Sequence, residues 1–321
     1  MHTPNDYLEI VENALQNLSL PREPKGLYNP IRYSLESGGK RIRPTLTLAV
    51  ADALGADLNI AVDQAVGVEM FHNFTLLHDD VMDKSEVRRG RPTVHCRWNE
   101  QTAILSGDAM LTLATQLVVR GAGEKTRDVL ELFNRTAMEV YEGQQLDMDF
   151  EHRKNVTEEE YIEMIRLKTS VLLGCACEMG AIMAGADAST RRAFYDYAEK
   201  LGLAFQLRDD YLDTFGDPAI FGKAIGGDIV NDKKTWMLIN AIREDKSGTI
   251  EKWLGVPNDP NEKIREVTEC YRYLRLDQKA VELIDRYLEE AVAQLRRIPQ
   301  LSDEAREYFT SLADRSRSRA N

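Results

Sequence analysis

Residues 60–83 read IAVDQAVGVEMFHNFTLLHDDVMD, an apolar run that recurs at helical spacing and ends in three aspartates. Residues 200–213, KLGLAFQLRDDYLD, repeat the arrangement, so the chain carries two D-D-x-x-D clusters, each closing an apolar helix. The i, i+4 spacing sets Asp79 over Asp83 and Asp209 over Asp213 on one helical face. Like charges at that spacing cost an isolated helix about 0.2–0.5 kcal/mol. A divalent cation removes the repulsion, and Mg2+ favours one or two carboxylates together with phosphate oxygens. A single cluster reads as a solvated helix end. Two of them behind apolar helices place acids at the mouth of a buried space, as a multi-metal diphosphate site requires.

Outward from these segments the same 3.6-residue period dominates. It predicts helices over 5–18, 27–37, from about Pro44 to Gly55, and over 60–83, 99–120, 125–150, 157–185, 189–213, 233–244, 262–273, 276–297 and 302–315. Thr157-Glu158-Glu159-Glu160 is a capping-box start. Alternating strand segments, a Pro/Gly/Ser-rich linker and a fixed-period repeat are all missing from the pattern. The expectation is therefore one all-α domain over 1–321, a large helical bundle whose ligand site is built from facing side chains.

Composition narrows the function. The 321 residues hold 41 Lys+Arg against 53 Asp+Glu, a net charge of −12, with 43% hydrophobic residues. That is globular composition. An acidic chain lacks the positive field that attracts nucleic acid, so no nucleic-acid partner is expected. Any phosphate must be held by local cations or by metal. Cys96, Cys175, Cys177 and Cys270 do not form a disulfide framework, and the N-terminus has no basic and apolar signal pattern. Asp108 and Glu178 interrupt the two most apolar windows, so no membrane span is expected, and the location expected is cytoplasmic.

The local cations follow the acids. Gly38-Gly39-Lys40-Arg41-Ile42-Arg43-Pro44 puts three positive charges at a helix start, where free N–H groups favour anions. Lys84, Arg88, Arg89, Arg91 and Arg97 come directly after the first cluster, and Phe221-Gly222-Lys223 with Gly227–Thr235 after the second. Alone, each reads as an ordinary charged turn. Beside metal-binding helix ends they are partners for diphosphate oxygens.

GGKRIRP, HNFTLLHDDVMD with RRGRPTVH, LKTS, FQLRDDYLD with FGK, and GGDIVNDKKT together resemble the ordered motif set of the trans-isoprenyl diphosphate synthases, or polyprenyl synthetases. The match runs from about residue 28 to 240. The resemblance implies the all-α isoprenoid synthase fold, a homodimer, and head-to-tail condensation of an allylic diphosphate with isopentenyl diphosphate. It implies that Asp79, Asp80, Asp83, Asp209, Asp210 and Asp213 hold three Mg2+ on the allylic diphosphate, with Asp79, Asp83, Asp209 and Asp213 as ligands. Lys40, Arg43, His72 and Arg89 match isopentenyl diphosphate positions. Arg88, Lys168, Lys223 and Lys233 match the cations on the allylic diphosphate, and Thr169 and Gln206 match polar residues near the allylic carbon. His72 then anchors ligand and His78 packs; neither need act as a base, because the departing diphosphate takes the last proton.

Phe74 lies five residues before Asp79, about 7–8 Å deeper along the helix. With Thr75 next to it, one aromatic resembles enzymes making C20 geranylgeranyl diphosphate more than those making C15 farnesyl diphosphate. Three other readings compete: a farnesyl diphosphate synthase, a class I terpene cyclase and a non-catalytic partner subunit. A cyclase needs no isopentenyl site, and a partner subunit would have lost an acid motif. Arg315-Ser316-Arg317-Ser318-Arg319 reads as a fraying terminus.

Overall fold

Helices carry nearly all the regular structure, as the periodicity requires. The computed structural model describes residues 1–217, 225–255 and 259–318. Among these the only strands are Val87–Arg88 (β1) and Arg91–Pro92 (β2), an antiparallel pair inside the basic stretch after Asp83. Their turn, Arg89-Gly90, has φ of 52° and 73°, the double positive φ that a two-residue hairpin turn needs.

The described chain forms two compact units. The first is drawn from residues 1–135, 175–195 and 300–305, and the second from 136–174, 196–299 and 306 onward. In the first lie α1 (Pro4–Gln16), α2 (Lys25–Leu35), α3 (Ile42–Ala53), α4 (Val62–Met82), α5 (Val94–Arg97) and α6 (Glu100–Val119). A capping box starts α1, in which Thr3 Oγ1 accepts from the Asp6 amide and the Asp6 carboxylate from the Thr3 amide. α4 buries Val66, Val68, Met70, Phe71, Phe74 and Leu77 and packs along α6. Buried Gln64 donates to the carbonyls of Val118 and Arg120 at 3.2 and 2.7 Å, satisfying groups that the end of α6 leaves open. Among the described residues α6 is the one helix long and apolar enough to cross a membrane. Its Ala103, Ser106, Met110, Ala114, Leu117 and Val118 are buried, and Ile104 and Leu105 are exposed.

α7 (Thr126–His152), α9 (Val171–Met183) and α10 (Ala188–Phe215) contribute residues to both units. The second unit also holds α8 (Glu158–Ile165), α11 (Gly227–Val230), α12 (Trp236–Glu244), α13 (Thr249–Trp253), α14 (Pro260–Tyr273) and α15 (Leu276–Gln294). α16 (Asp303–Ser318) ends the described chain. The Thr157 capping box is present, with the Glu160 amide donating to Thr157 Oγ1 at 3.2 Å.

Three expectations need correction. The helix over 157–185 is not one regular α-helix: residues Arg166–Ser170 form a π-helical turn between α8 and α9. α12 starts at Trp236 and not at Lys233, because Thr235 Oγ1 accepts from the Leu238 amide and sets the N-cap there. The basic C-terminal segment continues as helix through Ser318. The Arg317 carbonyl accepts from Arg208 at 3.2 Å, and the Arg317 Nε donates to Asp285 at 2.9 Å, so the segment is tied down at Arg317; Arg319 lies outside the described residues.

Candidate active site

In the first unit the last turns of α4 carry His72, Phe74, Thr75, Asp79 and Asp80, and Asp83 is the C-cap. Asp80 is buried at 4% exposure, whereas Asp83 is exposed. Arg88 on β1 donates from Nε to Asp80 Oδ1 at 2.8 Å, and its NH2 is ion-paired with the same oxygen at 2.8 Å. Burial raises the Asp80 carboxyl above its ordinary range, and the Arg88 charge opposes the shift.

The turn before α3 is fastened by Arg41, which sits at φ 45° with 3% exposure. It donates to Glu12 at 2.8 Å, to Glu69 at 2.7 Å and to the Leu35 carbonyl. Asn73 also donates to Glu69, at 3.0 Å. This network fixes the backbone from which exposed Lys40 and half-buried Arg43 project. Arg43 NH1 lies 3.2 Å from His72 Nε2. Burial pulls the Arg43 guanidinium down to about 10, with Glu69 opposing. Burial, then the fields of Arg43, Arg89, Arg88 and Arg41, hold the His72 imidazole well below the usual range. His72 is thus neutral at pH 7, and its Nε2 accepts from Arg43. Arg89 donates to the Gly38 carbonyl and lies over Gly39, where a Cβ would come 2.8 Å from its Cζ. Arg43, His72 and Arg89 are therefore gathered around one glycine turn.

Phe74 is buried and meets the His78 ring edge-on at 4.8 Å and Phe71 at 5.5 Å. His78 Nε2 lies 3.1 Å from the Ile104 carbonyl, packed against Gly107, where a Cβ would fall 2.3 Å from Nε2. His78 is thereby held by α6. Thr75 Oγ1 donates to the His72 carbonyl at 2.8 Å.

In the second unit α10 repeats the same division of labour. Asp210 is buried at 4% exposure, Asp209 is exposed and Asp213 is half-buried. Tyr161 Oη donates to Asp210 Oδ2, and Gln206 Nε2 donates to its Oδ1 at 3.1 Å. Burial raises the Asp210 carboxyl, while Lys233, Tyr161 and Gln206 oppose the shift. Thr169 Oγ1 donates to Gln206 Oε1 at 3.1 Å, and Lys168 pairs with Asp147 at 2.6 Å. Both come from the π-helical turn, the kind of irregularity often found at functional sites. α7 approaches its backbone closely, since a Cβ on Gly143 would lie 2.3 Å from the Lys168 nitrogen. Asp213 Oδ2 accepts from the Asp228 amide at 2.9 Å, and Asp228 lies 3.6 Å from Lys233. Burial pushes the Asp228 carboxyl up to about 7 against the pull of Lys233. Burial works against the Lys233 ammonium, but Asp210, Asp228 and Asp147 hold it above the ordinary lysine range. Lys223, with Phe221 and Gly222, lies outside the described residues.

Sequence reasoning missed Arg41, Glu69, Asp147, Tyr161 and Asp228. Arg41 and Asp228 stood inside motifs that had been singled out, yet a left-handed φ and an amide bond to a distant carboxylate leave no spacing signal. Asp147 and Tyr161 carried no local signal.

Among the described residues no three His, Cys, Asp or Glu side chains converge into a ready-made metal cage. Mg2+ does not require one, because it keeps waters and takes phosphate oxygens beside one or two carboxylates. In each cluster the second aspartate is buried and held by protein donors, and the last or first is open to solvent. That donor chemistry fits a magnesium–diphosphate group.

Comparison with known proteins agrees. The sequence profile of the polyprenyl synthetase family matches residues 24–274. A geranylgeranyl diphosphate synthase of Methanosarcina mazei is 39% identical over 263 residues, covering 81% of this chain and 81% of that protein. A geranylgeranyl pyrophosphate synthase of Geoglobus acetivorans is 37% identical and covers 96% of each chain. A crystal structure of a geranylgeranyl pyrophosphate synthase is 41% identical and superposes with a TM-score of 0.96 over 100% of both chains.

Proposed function

We propose, from the premise that this chain belongs to the polyprenyl synthetase family of prenyltransferases, that it condenses isopentenyl diphosphate head to tail with allylic diphosphates and releases C20 geranylgeranyl diphosphate. The observation that carries the activity is the matched pair of D-D-x-x-D helix ends, each with a buried, protein-held second aspartate. The C20 product is supported by relatives named for it at 37–39% identity across most of their length. Phe74, one and a half turns before Asp79, supplies the bulk that stops the growing chain.

Asp79, Asp83, Asp209 and Asp213 would hold magnesium, with three Mg2+ expected beside the allylic diphosphate. Bound there, the metal supplies positive charge against the oxygens of the leaving diphosphate. Arg88, Lys168, Lys223 and Lys233 take the diphosphate oxygens that remain. In the protein as it stands Arg88, Lys168 and Lys233 face Asp80, Asp147 and Asp228. Those carboxylates hold the cations in place until substrate arrives. Lys40, Arg43, His72 and Arg89 hold isopentenyl diphosphate, His72 being kept neutral by burial and then by its cationic neighbours. Thr169 and Gln206, joined by a hydrogen bond, present oxygen dipoles towards the allylic carbon as its bond to the diphosphate breaks. The apolar helices exclude water, which would otherwise capture the carbocation. The new bond joins C1 of the allylic group to C4 of isopentenyl diphosphate, and the proton lost from C2 leaves with the diphosphate.

The whole of 1–321 serves this one activity as a single isoprenoid synthase domain. A homodimer is part of the proposal, supported by Ile104 and Leu105, which α6 leaves 45% and 60% exposed. A cytoplasmic location is part of the proposal and fits four cysteines that form no disulfide among the described residues. The test is pyrophosphate release in Mg2+ with each substrate alone and with both. A synthase releases it only when both are present; release from the allylic diphosphate alone would mark a cyclase.

A further inference from the structure

Lys263 stands on α14, outside every motif the sequence singles out, and is 5% exposed. Its Nζ donates to Asp232 Oδ1 at 2.7 Å and to the Val230 carbonyl at 3.2 Å. Val230 is the last residue of α11, and Asp232 holds φ 50°. A non-glycine residue keeps that left-handed backbone only where its surroundings enforce it. The second oxygen of Asp232 accepts from the Gly255 amide at 2.9 Å, so both carboxylate oxygens are committed. The next residue on α14, Ile264, bounds the other end of the same loop. A Cβ on Gly226, at φ 85°, would fall 2.7 Å from Ile264 Cδ1. α14 thus grips the segment 226–232 at both ends.

That segment carries functional groups. The Gly226 amide donates to the Asp213 carbonyl at 2.6 Å and the Asp228 amide to Asp213 Oδ2 at 2.9 Å. The Lys233 amide donates to the Asp228 carbonyl at 3.0 Å, next to the side-chain contact between the same two residues. A shift of the loop would move Asp213, Asp228 and Lys233 together.

We infer that Lys263 is a positioning residue: through Asp232 and Val230 it sets where Asp213 and Lys233 meet magnesium and the allylic diphosphate. The inference rests on the proposed function. A buried ammonium is costly and persists where hydrogen-bonded partners offset the loss of water. Here both partners belong to the loop, which ties its position to α14.

Lys263→Met, Asp232→Asn and the double variant test it, in two assays. Steady-state kinetics give KM for each substrate, and melting curves follow titration with Mg2+ and inorganic pyrophosphate. Each single variant should raise the allylic KM and the Mg2+–pyrophosphate midpoint by about tenfold, the size expected when a group supporting a metal ligand is lost. KM for isopentenyl diphosphate should stay within about twofold, because Lys40, Arg43 and Arg89 are fastened elsewhere, and the double variant should be no worse than the worse single one. A lower melting temperature with unchanged constants would overturn the inference. So would an equal rise in both KM values, or single-variant effects that multiply. Should Lys263→Met fail to fold, Asp232→Asn carries the same expectation. A wild type without turnover would contradict the proposed function, while the pyrophosphate titration would still read the clamp.

Discussion

Arg88 donates from Nε to Asp80 Oδ1 at 2.8 Å, and its NH2 forms an ion pair with the same oxygen at 2.8 Å, from a hairpin strand to a helix end. The pair joins the basic stretch to the first acid cluster. Asp80 is buried while the Arg88 side chain keeps 36% exposure, so solvent discounts the pair. Arg88→Leu leaves a buried carboxylate short of donors and should cost roughly 1–3 kcal/mol in urea unfolding. In an Asp80→Asn background the same change should cost clearly less. Equal losses in the two backgrounds would show that the two residues are not coupled.

The approach of α7 to the π-helical turn gives a sharper case. A Cβ on Gly143 would lie 2.3 Å from the Lys168 nitrogen and 2.7 Å from the Leu167 carbonyl carbon. Both are backbone atoms and cannot swing aside. Gly143→Ala should therefore destabilise the protein by about 1–3 kcal/mol or more. It should also lower kcat at least tenfold by displacing Lys168 and Thr169. Normal kcat in a folded Gly143→Ala protein would remove the turn from the active machinery.

His72 gives the acid limb of stability a definite sign. Its folded pKa is depressed, so below the ordinary value near 6.5 the unfolded chain takes up a proton that the folded chain refuses. Its share of stability is present above about pH 6.5 and is lost as pH falls, by up to about 1.4 kcal/mol per unit. His72→Gln should flatten that loss in melting temperatures between pH 7.5 and 5. Parallel curves for the two proteins would mean that His72 titrates normally.

Phe74 is placed to end chain growth, at 5% exposure, edge-on to His78 and in tilted contact with Phe71. Phe74→Ala should shift the main product to longer chains, with Phe74→Leu intermediate in case the cavity in the alanine variant unfolds it. Identical chromatograms from wild type and both variants would remove Phe74 as the ruler.

The helices were legible because apolar side chains repeat at 3.6 residues wherever a helix buries one face, as α4 does from Val66 to Leu77. The acid clusters were legible because the i, i+4 spacing is local. What stayed hidden is what depends on distant partners. The π-helical turn at Arg166–Ser170 follows the close packing of Gly143, which lies more than twenty residues earlier. The left-handed Arg41 and Asp232 are stabilised by Glu69 and Lys263, on other helices. Which aspartate of each cluster is buried was likewise set by partners, Arg88 for Asp80 and Tyr161 for Asp210. Residues 218–224 and 256–258, with Lys223 among them, lie outside the described residues.

Product sizing tests the central claim most directly. The purified protein is incubated with Mg2+, isopentenyl diphosphate and, in turn, the C5, C10 and C15 allylic diphosphates, and the products are dephosphorylated and separated by length. All three starters should converge on the C20 alcohol, and none should elongate once Mg2+ is chelated. A folded protein that elongates no starter, or that stops at C15 from every shorter one, would contradict the account.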